Sequence, residues 1–342
     1  MEEVTPIGLR KSEHIRINLE EDVQSGLTTG LEHFHFVHQA LPELNLDDID
    51  TSVTLFNKHL FAPILISSMT GGTSEAVKIN QVLAEAAQNA HVAMGVGSQR
   101  IALENPEQAT SFQIRNIAPD ILLFANLGAI QLNYGYKVED CQRAVDMIEA
   151  DALVLHFNAI QEALQRDGDT KFEGLINKVE AVCKALSVPV IAKEVGWGFS
   201  QQDVSLLSQA GVAAIDVAGA GGTSWSQVEM YRAEDDYRKK LAEAFLDWGI
   251  STAEAIQNAA EISPNIKIIA SGGLRNGVDI AKCIALGATL GGMASPFLKS
   301  ASRSIDETMN FLGLLQEQIR ICMFATGSKT LNQLRQNKIT YK

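Results

Sequence analysis

Eight short apolar runs at a regular spacing constrain this chain more than any other feature. They are APILISS (62–68), HVAMGV (91–96), DILLFANL (120–127), ALVLHFN (152–158), VPVIAKEV (188–195), AAIDVAG (213–219), IKIIASGG (266–273) and ATLGGMA (288–294). The runs are continuous rather than alternating, as expected of strands covered on both faces. Between them lie amphipathic segments such as SEAVKINQVLAEAAQNA and GVDIAKCIALGA. Eight βα units at this rhythm predict a (β/α)8 barrel, with a doubly wound sheet as the alternative.

Two regions fall outside the rhythm. Residues 1–61 read as an N-terminal arm and barrel cover ahead of a single catalytic domain at 62–342, and DIDTSVTLFNKHLF within them reads as a hairpin or a cover for the barrel bottom. Residues 225–249 make the connection after strand six unusually long. Such a connection is either a lid or a solvated charged helix. The next helix is expected to start at STAEAI, where Ser251 and Glu254 have capping-box spacing.

The balance of charge narrows the partners. A formal net charge of −13 argues against nonspecific nucleic-acid binding, which needs a basic face. A few converging cations could still hold an anionic small molecule. Cys141, Cys183, Cys283 and Cys322 are widely scattered in helix-like segments, which is neither a zinc pattern nor a disulfide framework. The start, MEEVTPIGLRKSEHIRI, lacks the apolar core of a signal peptide, and no apolar run reaches the ~18 residues of a membrane span. A cytoplasmic protein that does not enter membranes is expected.

In a barrel the site forms at the C-terminal strand ends. Here they read SSMTGG, GVGSQR, ANLGA, HFNAIQE, AKEVGWG, AGAGGTSW, SGGLRNG and GGMASP. The last three suggest a phosphate site, because glycines let backbone N–H groups approach an anion and the following helices add their dipoles. Arg275 adds a fixed charge there. GVGSQR lacks the third glycine of a dinucleotide fingerprint and is not read as one. Lys193, ending strand five, fits a Schiff-base nucleophile, a charge partner for a cofactor or a surface lysine. Alternation along strand four puts His156 and Asn158 on one face. Glu162 is a lone carboxylate, which suits Mg2+ that keeps its waters and shares a substrate's phosphates. The plainer reading is a core histidine and a helix-capping asparagine.

The strings RKSEHI, SSMTGG, GVGSQR, ANLGA, LHFNAIQE, KEVGWG, DVAGAGGTSW and SGGLRNGVDIAKCIALGA run in order from residue 10 to about residue 298. In this the chain resembles the type 2, FMN-dependent isopentenyl-diphosphate isomerases. Phe157 and WGIST depart from the family pattern without touching a catalytic group. The resemblance implies a 1,3-allylic proton shift between isopentenyl and dimethylallyl diphosphate on reduced FMN, with NADPH as electron source and Mg2+ assisting. It also implies a homotetramer or larger assembly. It would put the FMN ring against Ser67, Ser68, Met69 and Thr70, with Ser98, Asn126 and Lys193 at its polar edge. Thr223, Gly272, Gly273, Leu274, Arg275, Ala294 and Ser295 would hold the FMN phosphate. Arg10, Lys11, Ser98, Gln99, Arg100, His156, Asn158 and Gln161 would meet the substrate, and Glu162 the metal. Gln161 would relay a proton, and His156 would orient the substrate and balance its charge. Arg10 and Lys11 must then fold over the mouth or come from a neighbouring subunit.

Two rivals share the barrel. The nearer is a net oxidoreductase such as a 2-hydroxyacid oxidase or dihydroorotate dehydrogenase; the former would carry a histidine in the late loops, and AGAGGTSW and SGGLRNG hold none. An IMP-dehydrogenase-like enzyme needs a cysteine at a strand end, and none of the four lies there. An FMN-dependent oxidoreductase of the same fold is therefore the alternative.

Overall fold

The computed structural model describes residues 6–336 and 339–342. Each expected run holds one strand, β3 extending one residue past its run: β1 (Ile64–Ile66), β2 (Ala93–Gly95), β3 (Leu123–Gly128), β4 (Ala152–His156), β5 (Val190–Lys193), β6 (Ala214–Asp216), β7 (Lys267–Ser271) and β8 (Leu290–Met293). They pair in sequence order and close into a barrel. The closing pair, β8 with β1, is parallel like the rest, with Gly291 opposite Ile64 and Met293 opposite Ile66. This closure excludes the doubly wound sheet.

Strand alternation divides the apolar residues into two cores. One face packs outward against the helices. The other fills the barrel with Leu65, Ala93, Phe124, Val154, Ile191, Ala214, Ile269 and Leu290, all buried. Burying a side chain the size of leucine or isoleucine contributes about 2 kcal/mol. The barrel floor is sealed by the hairpin Val53–Leu55 and Lys58–Leu60, whose Leu55 and Leu60 join the interior cluster. Its turn residues, Phe56 and Asn57, both have positive φ (48° and 63°). Two left-handed residues in succession match the twist of a two-residue hairpin. Phe56 accepts that strained backbone while its ring meets Phe124 edge-on at 6.5 Å.

The start of the arm lies at the opposite end, while Phe34–Phe36 pair with Ile339–Tyr341. Helix Pro6–Glu20 packs at the mouth, and Ser25 N–H donates to the Gly222 carbonyl while Ser224 N–H donates to that of Val23. The connection after β6 divides in two. Helix Trp225–Arg232 buries Ser226, Gln227, Val228 and Glu229, so it is a wall of the mouth rather than a solvated helix. Helix Asp236–Glu243 buries only Ala242 and fits the solvated description. Ser251 caps helix Thr252–Ile262 by accepting from Glu254 N–H, as the spacing predicts. Among the described residues no helix is long and apolar enough to cross a membrane.

Candidate active site

Two residues beyond the interior apolar layer, the inward positions change character. They are Ser67, Gly95, Asn126, His156, Lys193, Asp216, Ser271 and Gly292, one from each strand or its end. This ring opens into a cavity of about 590 Å³ at the C-terminal ends of the strands. That is an ordinary size for a cofactor or substrate site.

One half of the cavity is built from backbone. Thr223, Gly272 to Arg275, Ala294 and Ser295 line it. Gly272 and Gly273 have φ of 104° and 75°, and the loops approach so closely that a Cβ would fall 2.1 Å from the Gly219 oxygen and 2.3 Å from the Gly221 oxygen, respectively. Only glycine fits either position. Arg275 is exposed and donates to Gln24 Oε1 at 2.8 Å, tying the cradle to the arm. Ser67, Ser68, Met69 and Thr70 close this half. Asn80 clamps their loop by donating to the carbonyls of Thr70 (3.3 Å) and Ser111 (2.8 Å) while accepting from Thr70 Oγ1. The hydroxyl of Ser67 is buried without a partner. An orphaned hydroxyl beside a glycine cradle fits a bound phosphate cofactor such as FMN.

The other half is built from side chains. Arg10 and Lys11 come from the same chain and reach the cavity from helix Pro6–Glu20. Arg10 donates to Gln165 Oε1 at 2.7 Å. Lys11 Nζ donates to the carbonyls of Gly71 (2.9 Å) and Ser98 (2.7 Å). Burial, with Arg10 adding to it, lowers the Lys11 pKa to about 7. Ser98 lines the cavity; so does Arg100, although its charge is already met by Glu104 (3.0 Å) and Asp169 (2.9 Å).

Gln99 corrects the sequence expectation. It is fully buried outside the cavity, donating to the Ala144 carbonyl and accepting from Asn126 N–H. It braces β3 against helix Val138–Ile148, so its side chain is engaged away from the cavity.

His156 Nδ1 lies 2.8 Å from Asn126 Oδ1, which can only accept, so Nδ1 carries the proton and Nε2 is left as an acceptor. Burial, followed by the charges of Lys193, Lys11 and Arg10, lowers its pKa to about 4. It is neutral at pH 7. Lys193 is buried, donating to the Glu194 carbonyl at 2.9 Å and lying 3.4 Å from Asp216 Oδ2. That ion pair sets aside the surface reading of Lys193.

Asn158, Gln161 and Glu162 form one network. Asn158 Nδ2 donates to Gln161 Oε1 (3.1 Å) and Glu162 Oε1 (2.9 Å). Gln161 Nε2 donates to Glu229 Oε1 at 3.1 Å, and Arg232 holds the other Glu229 oxygen at 2.5 Å. Burial alone would raise the Glu229 pKa, but the hydrogen bond and charge of His14, with Arg232, hold it below the usual carboxylate value. Glu162 Oε2 accepts from Asp169 N–H at 2.7 Å. Among the described residues no group of three or more His, Cys, Asp or Glu gathers for a metal. Glu162 fits a divalent ion that completes its shell with water and ligand oxygens. The buried, unpartnered Asn158 Oδ1 beside it offers a further acceptor.

Sequence reading missed His14, Asp169, Asp216, Glu229 and Arg232. Glu229 and Arg232 sit in the long connection, whose charged composition hides that one helical face is buried. Asp216 is legible only as a carboxylate closing an apolar run.

A closed barrel that joins a glycine cradle for phosphate to a cationic, amide-lined floor is a phosphate-cofactor enzyme of the flavin barrel class. Consistently, the family model for FMN-dependent dehydrogenase matches residues 137–341. Solved structures of (S)-mandelate dehydrogenase (17% identity, TM-score 0.68, 96% of this chain and 91% of that one) and of a mutant flavocytochrome b2 with benzoylformate (16%, TM-score 0.69, 96% and 78%) share the fold. Far closer in sequence are proteins named isopentenyl-diphosphate delta-isomerase. That of a Nostoc species is 54% identical over 95% of this chain and 93% of its own, and that of a Synechocystis species 53% over 96% and 94%. That of Rickettsia bellii is 50% identical over 96% of both. The chain belongs to the type 2 isopentenyl-diphosphate delta-isomerase family.

Proposed function

We propose that this enzyme interconverts isopentenyl diphosphate and dimethylallyl diphosphate by a 1,3-allylic proton shift, using FMN kept reduced by NADPH, and Mg2+. The observation that carries the reading is the buried network of Asn158, Gln161, Glu162 and Glu229 beside the Arg10 and Lys11 cations, facing a glycine cradle. Reduced FMN would supply an electron-rich ring and exchangeable protons. Its phosphate would be held by Thr223, Gly272 to Arg275, Ala294 and Ser295; its ring by Ser67 to Thr70, Ser98, Asn126 and Lys193.

Arg10 and Lys11 would bind the substrate diphosphate, together with Glu162-bound Mg2+. His156, neutral, would orient the substrate through Nε2. A neutral amide is a poor base in water. Gln161 differs from a free amide because the ionised Glu229 accepts from its Nε2 and polarises it, which would suit it to holding a proton in transit beside the substrate's carbon skeleton. Assembly into four or more copies and a cytoplasmic location belong to the same reading, by resemblance to the family.

The test is to purify the protein, record its flavin absorbance, and assay isopentenyl diphosphate anaerobically with NADPH and Mg2+. Product formed without stoichiometric NADPH consumption is the expected result. Stoichiometric consumption would make it an oxidoreductase of the same fold.

A further inference from the structure

Asp216 is the only acid in the inward ring, and the only ring side chain that does not line the cavity. It is 2% exposed. Its Oδ1 accepts from Ser271 Oγ at 2.5 Å, and its Oδ2 lies 3.4 Å from Lys193 Nζ. Strand register enforces the meeting: Asp216 lies opposite Lys193 on β5 and opposite Ile269 on β7, two residues before Ser271.

A buried carboxylate tends to neutralise unless it is paired. Asparagine could satisfy Ser271 equally well; what it could not supply is charge. Of the other groups facing Lys193 only Glu194 is an acid, and burial pushes its pKa up to about 7. His156 on β4 is neutral, and Lys11 and Arg10 act on the same side of the cavity as further cations. The Glu194 carboxylate is turned to the backbone N–H groups of Val195, Gly196 and Trp197. Among the described residues Asp216 is the one acid within 4 Å of Lys193 Nζ.

We propose that Asp216, oriented by Ser271, is a positioning residue for the isomerase reaction: it holds the Lys193 ammonium charged and aimed at the cavity floor. The role rests on the reading of Lys193 as a contact to the polar edge of the flavin. Without Asp216, Lys193 keeps only cations, the neutral His156 and the half-titrated Glu194 around it, and a buried ammonium without its counter-charge is disfavoured.

The test has two readouts. The first is competitive acetylation of the full chain freed of flavin, its fold checked by circular dichroism. Acetic anhydride is applied across about pH 5 to 10, and each lysine peptide is quantified by mass spectrometry. In Asp216→Asn the midpoint of Lys193 reactivity should fall by about one pH unit or more, a tenfold gain in its neutral fraction, with other lysines outside the cavity unmoved. Ser271→Ala, which removes a single hydroxyl and serves if Asp216→Asn does not fold, should give a smaller fall in the same direction. The second readout is turnover with reduced FMN. Either variant should gain an alkaline limb in kcat at saturating substrate, separate from the kcat/KM limb set by Lys11, losing about tenfold per pH unit above the new midpoint. An unmoved Lys193 midpoint, or a loss of turnover uniform across pH, overturns the proposal. A shifted midpoint in a chain whose unsubstituted form turns over no isopentenyl diphosphate would instead uphold the pairing and reject the isomerase function.

Discussion

The two halves of the cavity solve opposite problems. The cradle formed by the ends of β6, β7 and β8 is made by leaving atoms out, since at Gly272 and Gly273 any side chain collides with a neighbouring loop. The half formed by the ends of β3, β4 and β5 is made by long polar side chains that satisfy one another before any ligand arrives. The first half should therefore fail when atoms are added, and the second when they are removed.

The largest effect is expected in the cradle. Gly272→Ala puts a methyl group 2.1 Å from the Gly219 oxygen at a φ of 104°. It should cost about 3 kcal/mol or more and leave most of the protein without flavin. Melting temperature and flavin absorbance after purification measure both; a stable, fully yellow variant would mean that the cradle is not rigid.

In the other half, Glu229→Ala leaves Gln161 Nε2 without its acceptor and Arg232 paired only with Glu13. Turnover should fall about 10- to 100-fold, with about 2 kcal/mol lost from stability. Glu229→Gln keeps an acceptor but removes the charge, so comparing kcat in the two variants separates packing from polarisation. Glu162→Gln should be narrower in its effect. The Mg2+ concentration for half-maximal rate should rise about tenfold or more, because a neutral amide is a poor ligand for a hard cation. Unchanged metal dependence would remove Glu162 from the metal site.

Lys11 gives the comparison a pH axis. With its pKa lowered to about 7 by burial and then by Arg10, it loses its charge as pH rises through that value. Affinity for a diphosphate should weaken over the same range, lowering kcat/KM on the alkaline side, and Lys11→Gln should flatten that limb. Stability runs the other way: the unfolded chain keeps the proton up to the ordinary lysine value of 10.5, so folding gains as pH rises from about 7 toward it. The smallest effect belongs to Ser67→Ala. The hydroxyl has no partner in the protein, so stability should change by no more than about 0.5 kcal/mol while flavin binding weakens a few-fold.

The sequence by itself determined the barrel, its strand order and the half of the site that is made of glycine. Periodicity reports which faces are covered, and a glycine-rich strand end reports a close backbone approach, so both are written locally. It also determined that His156, Asn158, Gln161 and Glu162 arrive together, because seven residues of one strand end carry them. What only the tertiary structure decided is what those groups touch. Gln99 and Arg100 are adjacent in sequence, yet one braces a strand and the other reaches the cavity already paired. Lys193 acquires its acid from β6, His156 its acceptor from β3, and Gln161 its acid from a helix 68 residues away. The physical reason is that charge and proton position depend on burial and on neighbours brought in by closure of the barrel. Neither is a property of a residue in its own stretch of chain.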